Sequence, residues 1–331
     1  MFKSDNVSRR QFVRGTLAAA AVAGIESRTM PNADAASTGA AKKDATVNAM
    51  PCGKIGNATI SRLLLGGNLI AGHMHARDLN KYVRPLFKAY ATEEKIMETL
   101  RLAEEHGVNT VFESGASYIQ KYNRQYDGKM QFIPHIKVDS SQTPAELERH
   151  IQQQVDSGAV ALYVWGVAAD RLVQAGAVDQ IARAVELAKY YDLPVGVGSH
   201  SLLVPMACEK LGVPCDFYVK TLHQDDYPSA TPKELRKEFI WLNGGEGWYD
   251  NMWCINPEET VAFMQTVEKP WIAFKVLAAG AYYPLQGFKY AFESGADFIA
   301  VGMLDFQIKE DCELACRFVR DTQQRKRPWR A

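Results

Sequence analysis

The side chains able to do chemistry collect at the downstream ends of short apolar runs. His73 and His75 follow Gly66-Gly67-Asn68, Glu113 and then Tyr118 follow the run beginning at Asn109, and Lys137 and Asp139 close the next. Trp165, His200, the group Lys220, His223, Asp225 and Asp226, then Lys275 and finally Asp305 occupy the matching places further on. Lys137, Lys220 and Lys275 interrupt otherwise apolar stretches, where an ammonium is costly unless paired or used. His200 and His223 end neighbouring runs, a spacing that lets two imidazoles meet one ion. With His75 and Glu113 they make a candidate ligand set, since neutral imidazoles plus a carboxylate are the usual donors to catalytic zinc and related divalent ions. One chemistry this predicts is a metal-dependent hydrolase, lyase or isomerase, with Lys220 or Lys275 as acid/base.

The elements that must position these residues alternate regularly. Strand candidates span 61–68, 109–115, 131–139, 159–166, 194–200, 216–223, 271–278 and 297–303, several of them apolar on both faces as buried parallel strands must be. Amphipathic segments lie between them. Thr143-Pro144-Ala145-Glu146 reads as a capping box with Pro at the first helical position, and Asn256-Pro257-Glu258-Glu259 repeats the pattern. Gly107, Gly158 and Gly295 stand at helix-to-strand joints, where Gly supplies the left-handed turn. Eight such units over about 260 residues predict an α/β fold of the (β/α)8 TIM-barrel type across 51–331, with its chemistry at the mouth where the strands end. An open doubly wound sheet is the runner-up, but no GxGxxG follows the first strand.

The chain has 331 residues with 38 basic and 38 acidic side chains, so it lacks the basic surface that nucleic-acid binding needs. Its 47% hydrophobic and 23% charged residues exclude a disordered or fibrous chain. Six cysteines show neither a CxxC nor a disulfide-framework spacing, so no essential disulfide is expected. The N-terminus differs from the rest. Ser8-Arg9-Arg10-Gln11-Phe12-Val13-Arg14 precedes an Ala-rich stretch too short for a stable bilayer span. It resembles a twin-arginine export signal over 1–35, followed by a disordered linker over 36–50. This implies recognition by the twin-arginine export machinery, a periplasmic or extracytoplasmic location, and no membrane span after processing. Between Asp226 and Asn256 lies the longest insertion, rich in Trp and Tyr, whose rings suit stacking on a sugar face.

Lys54-Ile55-Gly56, Ile60-Ser61-Arg62-Leu63-Leu64-Leu65-Gly66-Gly67 and the segment from Thr92 to Asn109 resemble the opening units of the aldo-keto reductase superfamily. Val276-Leu277-Ala278-Ala279-Gly280 and Val301-Gly302-Met303 are similar to its last two. The resemblance is diffuse over 51–316 and weakest between 167 and 270. It implies a (β/α)8 barrel using NADP, which in its reduced form NADPH transfers hydride to a carbonyl or sugar-derived substrate. Tyr118 would be the proton donor, Lys137 its pKa partner and Glu113 the orienting carboxylate. Two departures stand out: Glu113 replaces the family Asp, and Trp165 replaces the family His. No basic cluster follows the eighth strand to take a cofactor 2′-phosphate. The two catalytic expectations, reductase and metal enzyme, therefore stand beside a third, a non-catalytic binding barrel.

Overall fold

The computed structural model describes residues 49–76, 79–238 and 252–331. The predicted export signal, the linker as far as residue 48, Arg77, Asp78 and the middle of the aromatic insertion, 239–251, lie outside the described residues.

A two-stranded hairpin, β1 (Cys52–Ile55) and β2 (Ala58–Ser61), leads into eight parallel strands: β3 (Leu63–Gly66), β4 (Thr110–Glu113), β5 (Gln131–Ile136), β6 (Leu162–Val164), β7 (Val195–Ser199), β8 (Phe217–Thr221), β9 (Trp271–Phe274) and β10 (Phe298–Val301). These eight close into a barrel, each bonded to the next and β10 back to β3. Every one lies inside a predicted run, and the (β/α)8 architecture expected from the sequence is the one observed. The hairpin was not expected. Its Ile55 and Ile60 pack with Leu64, Ile133, Phe217 and Phe298 inside the barrel, so it plugs the end from which the strands start.

Outside run α1 (Gly67–Ile70), α2 (Asn80–Tyr90), α3 (Glu93–Glu105), α4 (Ala116–Tyr126), α5 (Pro144–Asp156), α6 (Gly166–Gln174), α7 (Val178–Lys189), α8 (Leu203–Leu211), α9 (Pro257–Met264), α10 (Pro284–Glu293) and α11 (Ile308–Asp321). Thr143 caps α5 as expected: its hydroxyl accepts from the Glu146 amide at 3.3 Å while the Glu146 carboxylate accepts from the Thr143 amide at 2.8 Å. Asn256 does not repeat this. Its side chain makes no cap bond and instead donates to Glu259 at 2.9 Å. The three joint glycines have the positive φ the turn requires, 84° at Gly107, 89° at Gly158 and 107° at Gly295.

Alternation along the strands sorts side chains into two cores. Leu64, Phe112, Ile133, Tyr163, Phe217, Val219, Ile272 and Phe298 fill the barrel interior. Leu63, Leu65, Val111, Leu162, Tyr218, Trp271 and Ile299 face the helices. At the plugged end Asp297, wholly buried, gathers the C-terminal tail. It accepts from the guanidinium groups of Arg325 at 3.0 Å and Arg327 at 2.6 Å, and from the amides of Trp271 and Arg330. All six cysteines are free thiols. Among the described residues no helix is long and apolar enough to cross a membrane.

Candidate active site

At the mouth a cavity of about 580 Å³ opens, lined by residues from the strand ends and the loops that follow them. Its size is that of a small-molecule site. Among the groups named from sequence, His73, His75, Glu113, Lys137, Trp165, His200 and Lys275 line it.

Two of these arrive by an unusual route. Phe112 points into the barrel and Val111 outward, so simple alternation would turn Glu113 toward the helices. Phe274 and Ala273 set the same expectation for Lys275. Both residues instead adopt left-handed backbone conformations, φ 79° at Glu113 and 58° at Lys275, and both face the cavity. A non-glycine residue held there costs about 1–3 kcal/mol. Burial pushes the Glu113 carboxyl above its usual range, with the Lys275 charge and the Trp165 indole N–H pulling the other way. The Lys275 ammonium lies 2.7 Å from His75 Nε2 and 4.0 Å from the centre of the Trp253 ring. Trp253 is wholly buried and also meets the His75 and His200 rings, at 4.9 and 5.4 Å.

His200 continues the inward face of β7 and is 5% exposed. Its Nδ1 is 2.8 Å from Asp170 Oδ2, on a carboxyl that is 2% exposed and also accepts the backbone amides of His200 and Ser201. Burial first, then the charges of Lys275 and Lys220, hold the imidazole well below its ordinary pKa and therefore neutral. Asp170 is itself raised to about 7, mainly by burial, against the pull of the amides it accepts. A neutral His200 with Nδ1–H bound to Asp170 carries its ring lone pair on Nε2.

The remaining expectations are corrected by geometry. Tyr118, the expected proton donor, does not line the cavity; it packs from α4 against the core between sheet and helices. The reductase tetrad therefore does not assemble around it. His223, the expected second metal ligand, has both ring nitrogens committed. Nδ1 meets the Gln224 carbonyl at 2.6 Å, and Nε2 accepts the amides of Trp253 and Cys254 at 3.0 and 2.9 Å. It shapes the segment that carries Trp253. Lys220 falls on the outward face of β8, wholly buried, with Nζ 2.9 Å from Thr221 Oγ1 and 3.9 Å from Cys254 Sγ, and does not line the cavity. Among the described residues no three His, Cys, Asp or Glu side chains are placed to hold a metal ion, so zinc does not fit the set His75, Glu113, His200 and His223. After β10, the Asp305 carboxylate is bonded to Lys95 at 2.8 Å and to Tyr90, an acidic group where the 2′-phosphate on the adenosine of NADP calls for a basic one.

Sequence reasoning missed three groups. Asp170 was hidden in the helical run Gly166-Val167-Ala168-Ala169-Asp170, although a lone carboxylate in so apolar a stretch was a signal. His135, in Gln131-Phe132-Ile133-Pro134-His135-Ile136, lines the cavity, stacks on Trp165 at 5.4 Å and is held neutral by burial, its pKa lowered to about 4. Tyr163 also lines it, stacked on Phe112 at 4.9 Å, its phenol kept protonated by burial and by Glu113.

No family model matches the chain, and no curated protein does. Solved structures do match. Two, each assigned to the aldo-keto reductases of Pseudomonas aeruginosa, share 12% identity with TM-scores of 0.54 and 0.53, covering 81% and 82% of this chain and 95% and 98% of theirs. A truncated 3-deoxy-D-arabino-heptulosonate 7-phosphate synthase from Thermotoga maritima also has 12% identity, with a TM-score of 0.43 over 83% of this chain and 92% of its own. The feature shared with the two Pseudomonas aeruginosa structures is the TIM barrel. At this identity the likeness to the two reductases is one of fold.

Proposed function

We propose that the protein is an enzyme of general acid–base chemistry, abstracting a proton beside the carbonyl of a small, sugar-derived substrate and returning it elsewhere. The observation that carries this reading is His200 on the cavity wall, backed by the buried Asp170, in a mouth that also presents Glu113 and Lys275. His200 Nε2 is the base: it takes the proton as the C–H bond breaks and its electron pair moves toward the carbonyl oxygen. Asp170 fixes the ring tautomer and offsets the charge the ring gains. Lys275 donates to the oxygen on which negative charge develops, and Glu113 does so in the neutral form that burial favours, in a site whose apolar walls strengthen both interactions. Reprotonation of the same carbon from its other face gives an epimer, reprotonation at the neighbouring carbon of an enediol gives an isomer, and departure of a neighbouring hydroxyl as water gives an elimination product.

A second reading is hydride transfer to the same carbonyl, with Tyr163 as the protonated phenol on the cavity wall. The two differ in what exchanges. The acid–base reading expects deuterium from solvent to enter a hydroxy-carbonyl substrate, and His200→Asn to stop it without NADPH being consumed. NADPH oxidation with no solvent deuterium in the product would refute the acid–base reading.

A further inference from the structure

The charged lining of the cavity is one-sided. Arg84, Lys137 and Lys275 face one carboxyl, Glu113, which burial drives toward its neutral form. Lys275 is engaged with His75 and the Trp253 ring. Arg84 and Lys137 are different. Both are exposed, and neither meets a carboxylate among the described residues. Among the described residues the Arg84 guanidinium bonds to the His73 ring, at 3.4 Å, and the Lys137 ammonium lies 5.9 Å from the centre of the Trp165 ring. They flank the Glu113–Ser114 segment, Lys137 just beyond β5 and Arg84 on α2, in the connection after β3. Helix α6 adds to the same wall: it begins without a side-chain cap, and its first residues, Gly166 and Val167, line the cavity. Cations without a carboxylate partner among the described residues, in a recess beside uncapped helix amides, favour an anionic ligand and raise its local concentration. Just beyond β5 and β9, four strands apart in an eight-stranded ring, Lys137 and Lys275 lie on opposite sides of the mouth.

Resting on the acid–base reading above, we infer that the substrate carries an anionic group, a carboxylate or a phosphate, bound by Lys137 and Arg84 while the reacting carbonyl lies toward His200 and Lys275. This makes Lys137 a specificity-determining residue, a role distinct from the pKa partnership with Tyr118 that the sequence suggested. The ligand class is a sugar acid or a sugar phosphate, and neutral sugars bind far less well.

Titration calorimetry of the whole protein with gluconate, inorganic phosphate, glucose and NADPH tests this, using wild type, Lys137→Gln, Arg84→Gln and, as a control, the exposed Lys129→Gln. Binding of gluconate or phosphate, weakened about tenfold or more by Lys137→Gln and by Arg84→Gln but not by Lys129→Gln, supports the inference. Which of the two anions binds distinguishes carboxylate from phosphate. Glucose binding as tightly as both anions, no anion binding, or anion binding indifferent to Lys137 and Arg84 overturns it. So does NADPH binding whose loss in Lys137→Gln is matched by neither small anion, because the cations then serve a cofactor. His200→Asn separates this inference from the catalytic reading. The variant keeps anion affinity if the recess is as described, whether or not solvent exchange into a substrate is ever seen.

Discussion

Removing the Asp170 carboxyl is the most direct perturbation of the proposed site. In Asp170→Ala three buried donors lose their acceptor: the amides of His200 and Ser201 and the Nδ1–H of His200. Each orphaned donor costs about 1–3 kcal/mol. Part of that is offset because the carboxylate is itself disfavoured by burial, as its rise to about 7 records. A net loss of about 3–5 kcal/mol follows, and for a domain of this size a kilocalorie moves the midpoint by roughly 2–4 °C. Melting therefore falls by roughly 6–20 °C at pH 8, where Asp170 is ionised in both states. Asp170→Asn behaves differently. One amide oxygen still accepts the backbone amides, but the NH2 group now faces Nδ1, and the imidazole moves its proton to Nε2. The lone pair that serves as base is then turned away from the cavity. Scanning calorimetry measures the first effect, and nitrogen-15 NMR of labelled histidines measures the second. An Ala variant melting within about 2 °C of wild type would refute the account of the pair, as would an Asn variant with an unchanged His200 tautomer.

Three further outcomes are expected. Glu113→Gly should melt about 2 °C or more above Glu113→Ala, because glycine relieves the φ of 79°; an Ala variant that melts higher sinks the strain argument. Asp311 is buried on α11 with its pKa raised to about 7 by burial and then by Glu310, so the folded protein holds that proton more tightly than the unfolded chain, whose carboxyl titrates near 3.8. Its favourable contribution is complete below that value and lost as pH rises through about 7; Asp311→Asn should therefore raise the melting temperature more at pH 8 than at pH 5, and melting curves at both pH values check the sign. Asp297→Asn leaves Arg325 and Arg327 without their carboxylate and should cost about 3–5 kcal/mol in chemical denaturation while leaving the His200 NMR signals unchanged; a cost below about 1 kcal/mol contradicts the role given to this cluster.

The barrel was legible because parallel strands buried on both faces leave long apolar runs, and these survive in 61–68 or 216–223 without any alignment. The β1–β2 hairpin was not, since Lys54, Gly56 and Asn57 break its apolar content and only Ile55 and Ile60 show what it buries. Within the site, position along a strand was readable but direction was not. His200 and His223 both close apolar runs, yet one enters the cavity and the other is consumed by the amides of Trp253 and Cys254, residues 30 and 31 positions later. Lys220 and Lys275 look alike in sequence. They part because Lys220 follows the pleat outward while Lys275 departs from it.

That departure bears on function more than the inventory of polar groups does. A (β/α)8 barrel delivers alternate side chains to its mouth at no conformational cost, as it does here for His135, Tyr163 and His200. Glu113 and Lys275 instead reach the cavity through left-handed backbone that glycine would adopt freely. One left-handed residue is unremarkable in a loop. Two at the ends of β4 and β9, each bringing an ionisable group into the same recess, place a carboxyl and an ammonium where regular alternation would leave them facing the helices. Glu113 gives no evident gain in stability, since burial disfavours its charge. A position occupied against both backbone preference and solvation is accounted for by what its side chain does in the cavity, and the comparison of the Gly and Ala variants at Glu113 measures how much stability that placement costs.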